Sequence, residues 1–237
     1  MNIKTKLVAL GTCVVAAGCS PLAPRPDPSK FFILTPLSDR ASPAAAPAST
    51  TASAQLAIGV GPIDFPDYLR RAEVVTRVAP NQIDLSHEKR WGEPLDRNFA
   101  RVLSANLAQL LNTQRIEKYP WPRKTQVDYQ IAIDVQRFET TADGQSQLVA
   151  RWIIKDGQNG NYLCASETTA SAPAGSGDTG PSAALSSDLA KLSREIASRL
   201  IELSQHRART TSAIGSPRND RTAVTKAHST ATPPTGD

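Results

Sequence analysis

The sequence is short of the side chains that most chemistry requires. Its 237 residues include three cysteines, three histidines and one methionine, and aromatics make up 5%. Such a cysteine count excludes the disulfide framework of a small secreted scaffold. The histidines, His87, His206 and His228, stand far apart in the chain, and none belongs to a cluster with zinc-ligand spacing. No Gly-x-Ser-x-Gly elbow is present for a serine nucleophile. His87 lies in the polar run from Ser86 to Arg90 and reads as part of a solvated loop. Gly157 to Asn161 carries no P-loop lysine and reads as a hairpin turn, and Gly175 to Gly180 reads as a flexible connection. Asp64 with Asp67, and Glu93 with Asp96, are carboxylate pairs of the ordinary kind found in loops and at helix starts. The expectation is a protein that is not an enzyme, with no metal and no cofactor.

A net charge of +5 would suit nucleic acid, but its distribution does not. Arg207, Arg209, Arg218, Arg221 and Lys226 gather near the carboxyl terminus against Asp220 and Asp237, and no motif interleaves aromatics with basic residues. Weak attraction to anionic envelope surfaces, or solvation of a tail, accounts better for these charges.

The amino terminus is the most informative segment. Lys4 and Lys6 precede an almost wholly apolar run from Leu7 to Ala17, which small residues close. Those are the three parts of a secretory signal. The run is about half the ~20 residues a membrane-spanning helix needs. Ala16-Ala17-Gly18-Cys19 resembles the bacterial lipobox, with Ala16 where that motif usually carries leucine. Cys13 is the rival site, with Leu10 at the leucine offset, but Thr12 is bulky for a cleavage position and the apolar run would be too short. The resemblance implies that Cys19 becomes the acylated amino terminus (N-palmitoyl and S-diacylglycerol), and Ser20 after it favours the outer membrane. Two or more acyl chains make such an anchor stable. Cys164 would then be the single free thiol, read as buried and inert in a strand.

The expected organisation is a signal peptide over 1–18, a proline-rich tether over 19–29, one domain over 30–206 and a disordered basic tail over 207–237. An Ala/Pro/Ser/Thr loop at 38–54 interrupts the domain, because such a composition cannot offset its ordering entropy by burial. Lys30 to Leu34 reads as a strand that pairs with the domain, since Phe31 and Phe32 would otherwise stand exposed. Further strands are expected at Gln55–Val60, Glu73–Val78, Ile83–Leu85, Arg115–Trp121, Val127–Val135, Gln147–Lys155 and Asn161–Ala170. Val127, Tyr129, Ile131, Ile133 and Val135 alternate strictly with polar or small residues, which marks a sheet with one buried face. Asp143-Gly144 and Asn159-Gly160 supply hairpin turns.

Two amphipathic helices complete the pattern. One starts at Glu93-Pro94 with Leu95, Phe99, Val102, Leu103, Leu107 and Leu110 on one face. The other follows Gly180-Pro181-Ser182 with Leu185, Leu189, Leu192, Ile196, Leu200 and Leu203 in one stripe. The fold class is therefore α+β, a mostly antiparallel sheet packed by two main helices.

Within this frame, Gly59-Val60-Gly61-Pro62-Ile63-Asp64-Phe65-Pro66-Asp67-Tyr68-Leu69-Arg70-Arg71 leads to Val75-Thr76-Arg77. Arg90-Trp91-Gly92-Glu93-Pro94-Leu95 and Arg101 to Leu107 follow. This set resembles the PqiC family, the ABC-type transport auxiliary lipoproteins. The resemblance covers the lipobox, the Phe31–Leu34 strand and the block from Gln55 to Gln205; the 38–54 loop and the basic tail are longer than the family's. It implies an outer-membrane lipoprotein of an intermembrane lipid transport system that supports envelope integrity. An MCE-domain protein forms the conduit there, and the lipoprotein docks its outer end. Phospholipid contact and a homo-oligomer are further partners to expect.

Tyr68, Leu69 and Trp91, beside Arg70, Arg71 and Arg90, are the docking candidates, because large residues next to arginines in non-regular segments are common at binding hot spots. Local packing, with Trp91 capping the first helix, is the competing role. A periplasmic lipid-binding module and a hydrolase are the alternative functions. Phospholipid that co-purifies with delipidated protein would mark the first, and the second needs a catalytic group that the sequence does not supply.

Overall fold

The computed structural model describes residues 27–39, 56–122 and 124–214. Along these residues run β1 (Lys30–Phe32), β2 (Ile58–Asp64), β3 (Glu73–Ala79), β4 (Gln82–Trp91), α1 (Leu95–Leu111) and β5 (Ile116–Lys118). Then come β6 (Tyr129–Thr141), β7 (Ser146–Asp156), β8 (Tyr162–Ala170) and α2 (Gly180–Ile214). Cys19, most of the tether, nearly all of the 38–54 loop and the chain beyond 214 lie outside the described residues.

All eight strands join one sheet, and β6 is its axis. One edge of β6 takes β2 in parallel along Tyr129–Asp134 and β3 at Thr140–Thr141. The other edge takes β7 antiparallel along almost its whole length, and β8 extends the meander. The long ladders are antiparallel, whereas the parallel pairings of β1 with β4 and of β2 with β5 span three residue pairs each. A mostly antiparallel sheet with two helices is the fold the residue pattern implied.

Alternation decides which face is covered. Tyr129, Ile131, Ile133 and Val135 of β6 and Leu148, Ala150, Trp152 and Ile154 of β7 are buried on one side. Both helices pack there: Leu95, Phe99, Val102, Leu103 and Leu107 from α1, and Leu185, Leu189, Leu192, Ile196 and Leu200 from α2. Fully burying each such side chain is worth roughly 1.5–3 kcal/mol. Phe65, Phe99 and Phe138 meet edge to face, with centroids 5.2 to 6.4 Å apart, and tie β2, α1 and β6 together. α1 ends on Asn112, which takes the left-handed conformation (φ 49°) of a helix C-cap.

Several element boundaries differ from those read in the sequence. β4 runs from Gln82 to Trp91 rather than stopping at Leu85, so the Ser86–Arg90 run with His87 is strand and not loop. Its polar composition hides it, and pairing with β3 on one side and β1 on the other forms it. β2 continues through Gly61-Pro62 to Asp64, its pairing with β6 shifting register between Val60 and Ile63. β5 is shorter than Arg115–Trp121. α2 continues to Ile214, so residues 207–214, assigned to the disordered tail, are helical. There Arg207 pairs with Asp156 and lies over the Tyr129 ring at 5.0 Å, which fastens the last turns to the sheet. Among the described residues no helix is long and apolar enough to cross a membrane.

Candidate docking site

The segment between β2 and β3 folds into a single 3-10 turn, Asp67–Leu69, and divides its residues by side. Leu69 points inward and is 1% exposed, a member of the core. Tyr68 is half-buried, and its hydroxyl donates to Oε2 of Glu139 at 2.8 Å. Nε of Arg77 donates to Oε1 of the same carboxylate at 2.7 Å, and its guanidinium lies 5.6 Å from the Tyr68 ring centroid. Nε of Arg137 stands 3.7 Å from Glu139. A carboxylate with no exposed side-chain surface needs such compensation. Burial, with the neighbouring Glu139 charge, pushes the Tyr68 hydroxyl up to about 12. Tyr68 therefore braces the turn against β3 and β6.

The following residues behave differently. Arg70 and Arg71 line a cleft of about 390 Å³ with Trp91, Gly92, Glu93 and Asp96, between the turn and the start of α1. Trp91, 6% exposed, belongs mostly to the core. Its backbone N–H donates to Ala72 at 2.6 Å, and that of Gly92 donates to Phe32 at 2.8 Å, so the end of β4 is stitched to both sides. Arg70 pairs with Asp64 at 2.7 Å, and Glu93 with Arg101 at 2.6 Å. Arg71 makes no ion pair among the described residues. Arg90 lies on β4 opposite Phe31 of β1, half-buried, with no hydrogen-bond partner for its Nε.

Of the six docking candidates, the structure brings Arg70, Arg71 and Trp91 around one cleft. It turns Tyr68 toward Glu139 and Leu69 into the core, and sets Arg90 and Trp91 on a strand rather than in an irregular segment. The sequence reading overlooked two exposed residues beside this cleft, Phe31 (68%) and Ile33 (55%). β1 does pair with the domain, but period-two alternation can hide only one of two adjacent phenylalanines, and Phe31 is the one left out. Cys164 is half-buried on β8 and its thiol is pushed up by burial, away from the thiolate that would react. Among the described residues no three metal-capable side chains converge.

Arg70, Arg71 and Trp91 thus meet around one cleft between the turn after β2 and the start of α1. Residues 37–197 match the family model of the ABC-type transport auxiliary lipoprotein component. The chain belongs to that family. In this auxiliary lipoprotein the match takes in the cleft, both arginines and the first half of α2, whereas Cys19 and β1 precede it. The fold recurs in a Xanthomonas campestris protein of the DUF330 family at 16% identity, with 76% of this chain and 99% of that one covered and a TM-score of 0.59. An uncharacterized protein is similar at 18% identity, with 73% and 98% covered and a TM-score of 0.58. No curated protein matches the sequence. The auxiliary lipoprotein's family description is one of transport and not of catalysis.

Proposed function

We propose that this lipoprotein is the anchored terminal component of an MCE-type intermembrane lipid transport system, held by acylated Cys19 at the periplasmic face of the outer membrane. The family match over residues 37–197 carries the reading, since it names an auxiliary lipoprotein of a transporter. The docking surface we assign is the cleft formed by Arg70, Arg71 and Trp91, where Arg71, which makes no ion pair among the described residues, can meet an acidic group of the partner.

The test is membrane fractionation of the wild type, Cys19→Ala and an Arg70→Glu/Arg71→Glu variant, each followed by affinity recovery of partners. The wild type is expected in the outer-membrane fraction with an MCE-domain protein attached. Cys19→Ala is expected in the soluble periplasmic fraction, and the charge-reversed variant on the membrane without the partner. A wild type that fractionates as soluble, or that recovers no MCE-domain protein, overturns the proposal.

A further inference from the structure

Phe31 and Ile33 share the outward side of the chain at β1, while Phe32 and Leu34 on the other side are packed inward. They form one patch. The backbone of Gly92 lies against both, and a Cβ there would meet Ile33 at 3.3 Å and Phe31 at 4.0 Å. The strand that presents them is held in place, with β1 paired to β4 and the N–H of Gly92 bonded to Phe32. The patch is therefore a built feature, because the pairing that fixes β1 also fixes two large apolar side chains in water.

The lysines beside it are paired. Lys30 and Lys89 both pair with Asp178. With both neighbouring lysines engaged, what the patch itself offers to a covering group is apolar surface.

Chain length indicates what lies within reach. Cys19 and Lys30 are eleven positions apart. Eleven residues span at most about 40 Å even when fully extended, so β1 cannot stand farther than that from an acylated Cys19. Tethering at that distance gives the bilayer a high effective concentration at the patch. Two side chains too weak to recruit the protein alone can then hold the domain down, with the aromatic ring in the headgroup region.

We infer that Phe31 and Ile33 are a second contact with the bilayer surface, seating the domain on the membrane that holds its lipid. The contact rests on the reading of Cys19 as the anchor. It brings the Arg70–Arg71 cleft, which adjoins Gly92, to the membrane surface, where a lipid conduit has to deliver.

The experiment uses the mature acylated chain with Cys164→Ser, reconstituted into phosphatidylcholine–phosphatidylethanolamine vesicles without anionic lipid. An environment-sensitive fluorophore is placed through Phe31→Cys, Ile33→Cys or, as a control on the exposed part of β8, Leu163→Cys. At positions 31 and 33 the emission should shift to the blue and be largely lost when nitroxide-bearing lipid is added, at low and high salt alike. At position 163 it should do neither. If labels at 31 and 33 behave like the control while the protein still floats with the vesicles, the second contact is refuted and the anchor stands. Protein that does not float with the vesicles refutes both.

Discussion

The hydroxyl of Tyr68 donates to Glu139 across 71 positions of sequence, and the other oxygen of that carboxylate takes Arg77. A buried carboxylate thus joins the turn after β2 to β3 and β6. Replacing it leaves Arg77 without its partner in a largely buried position, where breaking an ion pair typically costs about 3–5 kcal/mol. Glu139→Gln should lower the unfolding free energy by about 3 kcal/mol in urea denaturation. A loss below ~1 kcal/mol would mean that the network is dispensable.

The same relationship has an alkaline signature. Tyr68 ionises at about 12 in the folded protein, above the usual value of 10.0, because burial and Glu139 disfavour the phenolate. A raised folded value leaves stability intact below pH 10 and erodes it as pH rises from 10 toward 12. An ultraviolet titration should show a tyrosine ionising near 12 that Tyr68→Phe removes.

Asp188 gives the corresponding prediction on the acid side. It is 2% exposed on α2, and burial raises its carboxyl to about 6 despite the nearby Ser146 hydroxyl and Lys191 charge. With the folded value above the unfolded 3.8, this group's contribution is fully present below pH ~4 and is lost as pH rises to about 6. Asp188→Asn should therefore stabilise the protein by about 1–3 kcal/mol at pH 8 and have little such effect at pH 4. Melting curves at the two pH values decide the matter, and an equal effect at both would contradict it.

Gly59 supports the indole of Trp121, and a Cβ at that position would lie 2.6 Å from the ring. Gly59→Ala should lower stability by about 1–3 kcal/mol through overpacking. Trp121→Ala in the same chain should recover most of that loss, as contacting sites are expected to couple. Additive losses in calorimetry would place the strain elsewhere.

Arg207 fixes the end of α2 to Asp156 and Tyr129. Arg207→Ala should cost about 1 kcal/mol or less, since the pair is partly exposed. It should also abolish hydrogen-exchange protection over the last turns of α2 while leaving the turns around Leu192 protected. Unchanged protection there would show that the helix end holds itself.

What periodicity carries was legible in the sequence. β6, the two helices and the face each buries follow from apolar spacing, and β7 and β8 from the turns at Asp143-Gly144 and Asn159-Gly160, because Ile131 or Leu189 must leave water wherever it sits. Tertiary structure decided what depends on pairing between distant segments. β4 is a polar strand that exists because β1 and β3 flank it. Tyr68 and Leu69 face inward because Glu139 and the core receive them, and α2 outlasts its apolar stripe because Arg207 finds Asp156. The same holds for the surface. Phe31 and Phe32 are identical neighbours in sequence, and only the register of β1 on β4 sends one to the core and the other to the outside. Local sequence sets how much apolar surface must be hidden, but pairing geometry chooses which side chains remain for a partner.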